Sequence, residues 1–266
     1  MKKINCTIGI LTKNSEATLD RSLASVKNFA DIIIADGGSS DSTITIAKAY
    51  GAKIISQIAV GKPIDDFSSE RNNLLDHAVT DWFFYLDSDE VMTEALAYEI
   101  EKAVENASGP SFYNVPYVLT SPDLTVWYKS IRPLYQVRLF RKSTGARFAK
   151  RVHEKIHFDP TKEIIGTLSS PWLVPLDVQL AFRVYKEKVH HRLGIIAYDW
   201  KPPSLSKALY TAWLVPFFMI LKIFLRMFYL RLRYKARYLV PLRYELYRIY
   251  SQIYIAKVLT KKIFTV

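Results

Sequence analysis

The first ninety residues alternate between short apolar runs and segments with helical spacing, and this alternation restricts the fold more than any other feature of the chain. Residues 4–11 read as a buried strand, and residues 15–26 follow with Ala17, Leu19, Leu23 and Val26 near helical spacing. A second apolar run, 31–35, is stopped by Asp36-Gly37-Gly38-Ser39-Ser40. Asp41 or Ser42 caps a helix over 43–50 that closes at Gly51, where a left-handed residue is wanted. Residues 53–56 make a third strand, 67–78 a helix and 81–86 a fourth strand. A βαβαβαβ order of this kind folds as an α/β, mostly parallel sheet with helices on both faces.

Such sheets bind ligands beyond the carboxyl ends of their strands. That rule selects Thr12-Lys13-Asn14, Asp36-Gly37-Gly38-Ser39 and Asp87-Ser88-Asp89-Glu90. The chain contains no Gly-x-Gly-x-x-Gly and no Gly-x-x-x-x-Gly-Lys-Ser/Thr, which leaves a dinucleotide site and a P-loop without support. From residue 112 onward, β-rich segments at 112–119, 134–140 and 152–157 alternate with loops, and read as an antiparallel extension of the sheet. Residues 121–130 form a loop facing the acceptor. Residues 177–198 look helical, and Lys201-Pro202-Pro203 divides the chain into a domain over 1–200 and a region over 201–266.

Asp87 and Asp89, two residues apart at the end of an apolar strand, can converge on one hard divalent cation while a bound diphosphate supplies further oxygens. The same acids also suit a turn leading into a helix from Thr93. Asp36 can accept from a base N–H or a ribose hydroxyl, or simply close a βα loop. Arg138 and Arg141 flank an apolar pair and can meet a phosphate, although alternation in a half-exposed strand explains them equally well. Trp127-Tyr128 suits stacking on a sugar ring or packing, and His190-His191 reads as a solvated helix face.

Six segments occur in one order: Thr12-Lys13-Asn14-Ser15-Glu16, residues 36–43, Glu70-Arg71-Asn72, residues 81–90, Arg138-Leu139-Phe140-Arg141 and Val152-His153-Glu154. In this the chain resembles the family 2 glycosyltransferases over about residues 4–160, the nearest branch being that of lipopolysaccharide-core β-1,4-glucosyltransferases. The resemblance implies a GT-A (Rossmann-like) fold, a nucleotide-sugar donor, a Mg²⁺ or Mn²⁺ ion and inversion at the anomeric carbon. Carried over, Thr12, Asn14 and Glu16 line the nucleotide pocket, Asp36 contacts base or ribose, and Arg71 lies near the diphosphate. Asp87 and Asp89 match the metal-binding Asp-x-Asp, with Asp89 the direct ligand and Asp87 also facing the donor. Ser15 stands where a second Glu is common and Glu70 where Gln often precedes Arg-Asn, so the nucleotide stays open with a UDP-sugar favoured. Inverting transfer needs a base for the acceptor hydroxyl and charge stabilisation for the leaving diphosphate. Glu154 is assigned the first role, and His153 that of a metal or diphosphate ligand.

The whole excess of charge, +12, falls after residue 200: the last 66 residues hold 13 Lys and Arg against one acid, Glu245. Eight of the 17 tyrosines lie there too. Lys222, Arg226, Arg233 and Arg237 share one helical side while Arg231 and Lys235 fall opposite, so a single straight helix through 237 is not expected. After Pro241, Leu242, Leu246, Ile249, Ile253 and Ala256 form a narrow apolar stripe. Mixed apolar, aromatic and cationic residues suit amphipathic helices lying on an anionic membrane surface; the Leu/Ile/Phe content argues against nucleic acid. The run 208–221 is short for a bilayer of about 30 Å, so a spanning helix is not favoured. Cys6, the only cysteine, rules out an intramolecular disulfide and fits a reducing compartment, and the N-terminus lacks a signal-peptide core.

The expectation is therefore a metal-dependent inverting transferase on the cytoplasmic face of a bacterial inner membrane. Its acceptor would be a lipid-linked glycan or lipopolysaccharide, and it could form a homo-oligomer. The competing readings are a sugar nucleotidyltransferase, whose glycine-rich first loop is missing here, and a non-catalytic membrane adaptor that retains the fold.

Overall fold

A computed structural model describes residues 3–159, 161, 163–176 and 181–264. The chain divides into two compact units, one of residues 1–120 and 133–175 and a second of residues 121–132 and 176–266.

The first unit is built on a nine-stranded sheet. Its parallel half comprises β1 (Ile4–Thr12), β2 (Phe29–Asp36), β3 (Lys53–Ser56) and β4 (Trp82–Asp87), in the order β3-β2-β1-β4. The helices between them are α1 (Glu16–Val26), α2 (Thr43–Ala49) and α3 (Phe67–His77), each within a residue or so of its expected span. Gly51 takes φ +70° just past α2, as its place there requires. Then come β5 (Val91–Met92), α4 (Glu94–Glu105), β6 (Phe112–Thr120) and β7 (Leu134–Arg141). β7 runs antiparallel to both β4 and β6, so the expected antiparallel extension is present there.

Three elements depart from the sequence reading. β10 (Ile165–Thr167) and β11 (Trp172–Pro175) both add to β6 in parallel, and β11 carries β5 antiparallel on its far edge. Both are too short for periodicity to register, and prolines at 171 and 175 mask β11. Residues 152–157 are not one strand of the sheet. Only β9 (Lys155–His157) is extended, and it pairs with β8 (Arg147–Ala149) in a separate two-stranded hairpin.

Alternation along the strands sorts side chains to two sheet faces. Ile8, Ile10, Ile34, Phe84 and Leu86 pack with Leu19 and Leu23 of α1 and Leu96 and Ile100 of α4. Ile33, Ala35, Phe83, Tyr85 and Phe140 pack on the other face with Leu74 and Leu75 of α3 and Phe148 of β8. Gly9 is required by this packing, since a Cβ there would lie 2.4 Å from the Phe83 ring.

The second unit is helical. α5 (Phe182–Asp199) is followed by a continuous helix over Leu205–Arg233, here α6, which includes a π-turn at Tyr210–Leu214, and then by α7 (Leu242–Phe264). The expected start of α5 at residues 177–180 lies outside the described residues. α6 stops at Arg233, short of 237 as expected. It is long and apolar enough to cross a membrane by length and composition, which the shorter run read from sequence had not suggested. α7 is packed between the other two helices. Tyr185 stacks on Tyr247 and His190 on Tyr254 at 3.8 Å, so His190 is not the solvated residue expected. Trp213 Nε1 donates to Thr260 Oγ1 at 2.8 Å, and Arg226 pairs with Glu245. The loop 121–132 belongs to this unit, with Lys129 N–H donating to Tyr238 O at 2.9 Å.

Candidate active site

Strand register brings three loops to one level at the carboxyl edge of the parallel strands: Thr12 pairs with Asp36, Asp36 with Ser56 and Leu11 with Asp87. The first two loops are laced together. Asn14 adopts φ +49°, a conformation Asn tolerates, so that its amide oxygen accepts Ser40 N–H at 2.9 Å while its own N–H donates to Ser39 Oγ at 2.8 Å. Glu16 accepts Ser42 N–H at 3.0 Å, and Asp41 accepts Glu16 N–H at 3.1 Å. Ser15 Oγ shares a 3.0 Å hydrogen bond with Ser88 Oγ, tying this lattice to the Asp87-Ser88-Asp89 turn.

Asp36 is the anchor of its own loop. Oδ1 accepts Thr12 Oγ1 at 3.1 Å and Ser39 Oγ at 2.5 Å, and Oδ2 accepts the N–H groups of Gly38 at 2.9 Å and Ser39 at 2.8 Å. Gly38, at φ +84°, turns the chain back over the carboxylate. These four bonds match the roughly four lone-pair sites a carboxylate offers, so a base or ribose at Asp36 has to share them. Gln57, which nothing in the sequence singled out, sits buried beside it. Its Nε2 donates to Thr12 O and Ala35 O, both at 3.0 Å, holding the ends of β1 and β2 together.

Glu70, Arg71 and Asn72, consecutive on α3, each brace a different segment. Asp66 caps the helix by accepting Ser69 N–H, and Phe67 N–H donates to Arg151 O at 2.9 Å. Glu70 accepts Ile58 N–H at 2.9 Å and Ala59 N–H at 2.8 Å, fixing the chain after β3. Asn72 exchanges two hydrogen bonds with the backbone of Phe148, fixing β8. Between them Arg71, 4% exposed, donates from Nε to Glu154 Oε1 and from Nη2 to Asp87 Oδ1, both at 2.6 Å. Burial works against its charge, but Asp87 and Glu154 hold the proton on and raise its pKa. Its remaining nitrogen, Nη1, is buried without a hydrogen-bond partner.

Arg138, equally suited by sequence to a phosphate or a half-exposed strand, is engaged by a carboxylate of the chain itself. It forks onto Glu90, Nη1 to Oε2 at 2.9 Å and Nη2 to Oε1 at 3.1 Å, with both side chains buried. Glu90 Oε2 in turn accepts Asp87 N–H at 3.0 Å. Burial pushes the Glu90 carboxyl up, with the Arg138 guanidinium pulling against it. The ring of Tyr85 lies between two guanidiniums, Arg71 at 4.6 Å and Arg138 at 4.2 Å. Burial raises the Tyr85 hydroxyl, which donates to Val137 O at 3.1 Å. Arg141 is turned to Asp81 at 3.5 Å and to the face of Trp82.

Glu154 is therefore brought to Asp87 through Arg71, although the two acids are far apart in sequence. His153 and Glu154 lie in a turn before β9, not in a strand, because Lys150 and His153 take φ +77° and +56°. His153 is exposed there. Asp89 is exposed on the Asp87–Glu90 turn, which is closed by Glu90 N–H to Asp87 O at 3.0 Å. Among the described residues no three His, Cys, Asp or Glu side chains converge to hold a metal ion by themselves. The donors that remain, carboxylate oxygens at a strand end, are the hard ligands Mg²⁺ and Mn²⁺ prefer when a diphosphate completes the shell. The partnerless Nη1 of Arg71 is a buried N–H donor suited to that anion. The residues fit a metal–diphosphate pair.

The model of glycosyl transferase family 2 matches residues 7–161, more than half of the chain. The chain belongs to this family. An uncharacterised glycosyltransferase of Rickettsia typhi is 31% identical over 180 residues, 63% of this chain and 57% of that protein. The SPbeta prophage-derived glycosyltransferase SunS of Bacillus subtilis is 29% identical over 154 residues, 56% of this chain and 34% of that one. The chain thus spans little more than half the length of the first of these relatives and about a third of the second. Among solved structures, the mannosyltransferase PcManGT from Pyrobaculum calidifontis, in complex with GDP-Man and Mn²⁺, aligns with a TM-score of 0.54. It covers 99% of this chain and 88% of that one at 13% identity, a likeness of fold. The expected GT-A architecture is the one observed.

Proposed function

We propose that this family 2 chain transfers a sugar, with inversion, from a nucleotide-sugar donor to a hydroxyl of a lipid-linked glycan, in the manner of the lipopolysaccharide-core β-1,4-glucosyltransferases it resembles. The observation that carries this is the single buried guanidinium of Arg71 bridging Asp87 and Glu154 at the carboxyl edge of the sheet. One carboxylate belongs to the donor side of the reaction and the other to the acceptor side. Arg71 holds them in one frame.

In this reading Glu154 takes the acceptor hydroxyl's proton as the oxygen attacks the anomeric carbon, and the bond to the nucleoside diphosphate breaks. Arg71 fixes Glu154 through Oε1, leaving Oε2 for the proton, and offers Nη1 to the departing diphosphate. Thr12, Asn14, Glu16 and Asp36 shape the nucleotide pocket, chiefly by holding their loops. Asp89, with Asp87 beside it, would hold a divalent cation, which when bound would neutralise charge building on the diphosphate. His153, exposed one residue before the base, is assigned to the metal or the diphosphate. A UDP-sugar is the favoured donor, and the neighbour solved with GDP-Man and Mn²⁺ lends support to the general class.

The second unit would keep the enzyme at the anionic cytoplasmic face of a bacterial inner membrane, where a lipid-anchored acceptor shares its plane. Support comes from α6, whose exposed side carries Phe217, Phe218, Phe224, Leu225 and Phe228. A thermal-shift screen of nucleotide sugars with and without Mn²⁺ tests the donor, because a true donor stabilises the fold by mass action. A cation-dependent rise with one nucleotide class is expected; no rise with any donor would leave the adaptor reading in place.

A further inference from the structure

The proposed membrane attachment leaves open how α6 meets the bilayer, and α6 is long and apolar enough to cross it by length and composition. We infer that it does not cross: α6 and α7 form an antiparallel hairpin that lies in the plane of one leaflet, its outer apolar side buried among anionic phospholipids. The inference rests on the membrane reading above and goes beyond it by fixing the mode of insertion.

Two contacts set the hairpin's register. Trp213 bonds Thr260 near one end and Arg226 pairs with Glu245 toward the other, so α7 runs alongside α6 in the opposite direction over most of its length. Over that stretch α7 carries Glu245, Arg248 and Lys257, with Arg243, Lys261 and Lys262 just beyond its ends. A spanning α6 would carry Arg248 and Lys257, which lie between those two contacts, into the hydrocarbon, where an unpaired ion is costly. It would also place exposed Lys222 close to the midplane. Lying flat avoids both costs.

The exposed side of α6 fits that position. At about 100° per residue, Trp213, Phe217, Leu221, Phe224 and Phe228 fall within one quadrant, with Leu214, Leu225, Leu232 and Phe218 extending the arc. Lys222 and Arg233 fall at one border of this arc, and exposed Arg231, near the end of the helix, falls at the opposite edge in line with Trp213. Ala212, Pro216, Ile223 and Leu230 are the buried side. Glu245, the one acid after residue 200, is buried and held by Arg226 and Arg248, so the surface of residues 201–264 presents no carboxylate. An apolar face bordered by cations and free of acids matches an anionic lipid surface in both respects.

Leu214, Leu221 and Phe228 lie on one line of α6, about 10 Å apart, and are all exposed. Cys6 is fully buried, so a cysteine placed singly at each of the three can carry an environment-sensitive fluorophore in the full-length chain. The probe is a vesicle of phosphatidylcholine and phosphatidylglycerol at roughly 2:1, with quenchers at graded depths in the acyl chains. Equal depth at all three positions is expected. A midplane position for residue 221 with shallower flanks would overturn the in-plane hairpin while sparing the membrane reading. Absence of vesicle binding by the unlabelled chain at low salt would overturn both. Lys222→Gln adds an independent arm: it should weaken vesicle binding, roughly fivefold if the cation is worth about 1 kcal/mol at the surface. Stronger binding in that variant would favour a span.

Discussion

Arg138 and Glu90 form a two-pronged ion pair beneath the site, and the Glu90 oxygen that takes Arg138 Nη1 also takes the backbone N–H of Asp87. The pair therefore sets the position of the Asp87-Ser88-Asp89 turn from below. Removing one partner of a buried pair leaves a bare charge, at a cost of about 3–5 kcal/mol. Arg138→Met should lower the unfolding free energy by that order in urea titration, and Glu90→Gln by less, because an amide oxygen still accepts from Asp87. A loss below about 1 kcal/mol in Arg138→Met would mean the charge is not sealed from water.

Asp66 offers a stability prediction away from the chemistry. Burial tends to raise its pKa, but the Ser68 hydroxyl and the N–H and hydroxyl of Ser69 outweigh this, and the net shift is downward. A carboxylate with a lowered folded pKa contributes stability above its unfolded value, near 3.9, and loses it as the pH falls through the folded value. Asp66→Ala should cost about 1 kcal/mol at neutral pH, the worth of a helix cap. Below about pH 3.9 the difference from the parent should shrink. A difference that persists unchanged in acid would assign the effect to shape and not to charge.

The parallel half of the sheet was legible because its strands are apolar runs separated by segments of helical spacing. β3 (Lys53–Ser56) matches its expected span to the residue. β10 and β11 were not legible, since segments of three and four residues carry no period. At the site, sequence order could name Asp87 and Glu154 as acids but not join them. Their link is Arg71, whose reach to both depends on α3 docking through Phe67 and Asn72. Arg138 looked equally fit for a phosphate or a packed strand; its carboxylate partner, 48 residues earlier, becomes visible only when β7 lies beside β4. Gln57 gave no signal at all, because its work is to bond backbone groups of two distant strands.

Asp89 stands exposed on a turn whose backbone is fixed by Glu90. On the proposed reading Asp89→Asn removes one anionic ligand beside a diphosphate and should abolish most divalent-cation-dependent turnover. EDTA in excess should silence the parent, and Mn²⁺ should restore it. Full turnover in Asp89→Asn, or in EDTA, would remove the cation from the mechanism.

Arg71 carries two carboxylates and a third, partnerless nitrogen, a geometry lysine cannot reproduce. Arg71→Lys should therefore fail to rescue Arg71→Met, with turnover in both lowered on the order of 10²–10³, the usual effect of losing one donor to developing charge. Donor affinity, followed by calorimetry, should also weaken. Recovery by lysine would reduce the role of Arg71 to that of a point charge.

Glu154 tests the reaction itself. Its side chain is held by Arg71 Nε, and it follows a residue in the left-handed region that turns the chain into β9. Glu154→Gln preserves shape and still accepts a hydrogen bond from Arg71, but an amide cannot take the acceptor's proton. Transfer should fall on the order of 10²–10⁴ while donor binding changes little. Because the amide oxygen can still occupy the place of Oε1, the melting temperature should stay close to that of the parent. A variant that transfers sugar at near-parent rates would place the base on another residue. A variant that loses donor binding along with turnover would make Glu154 a support for Arg71 and the diphosphate.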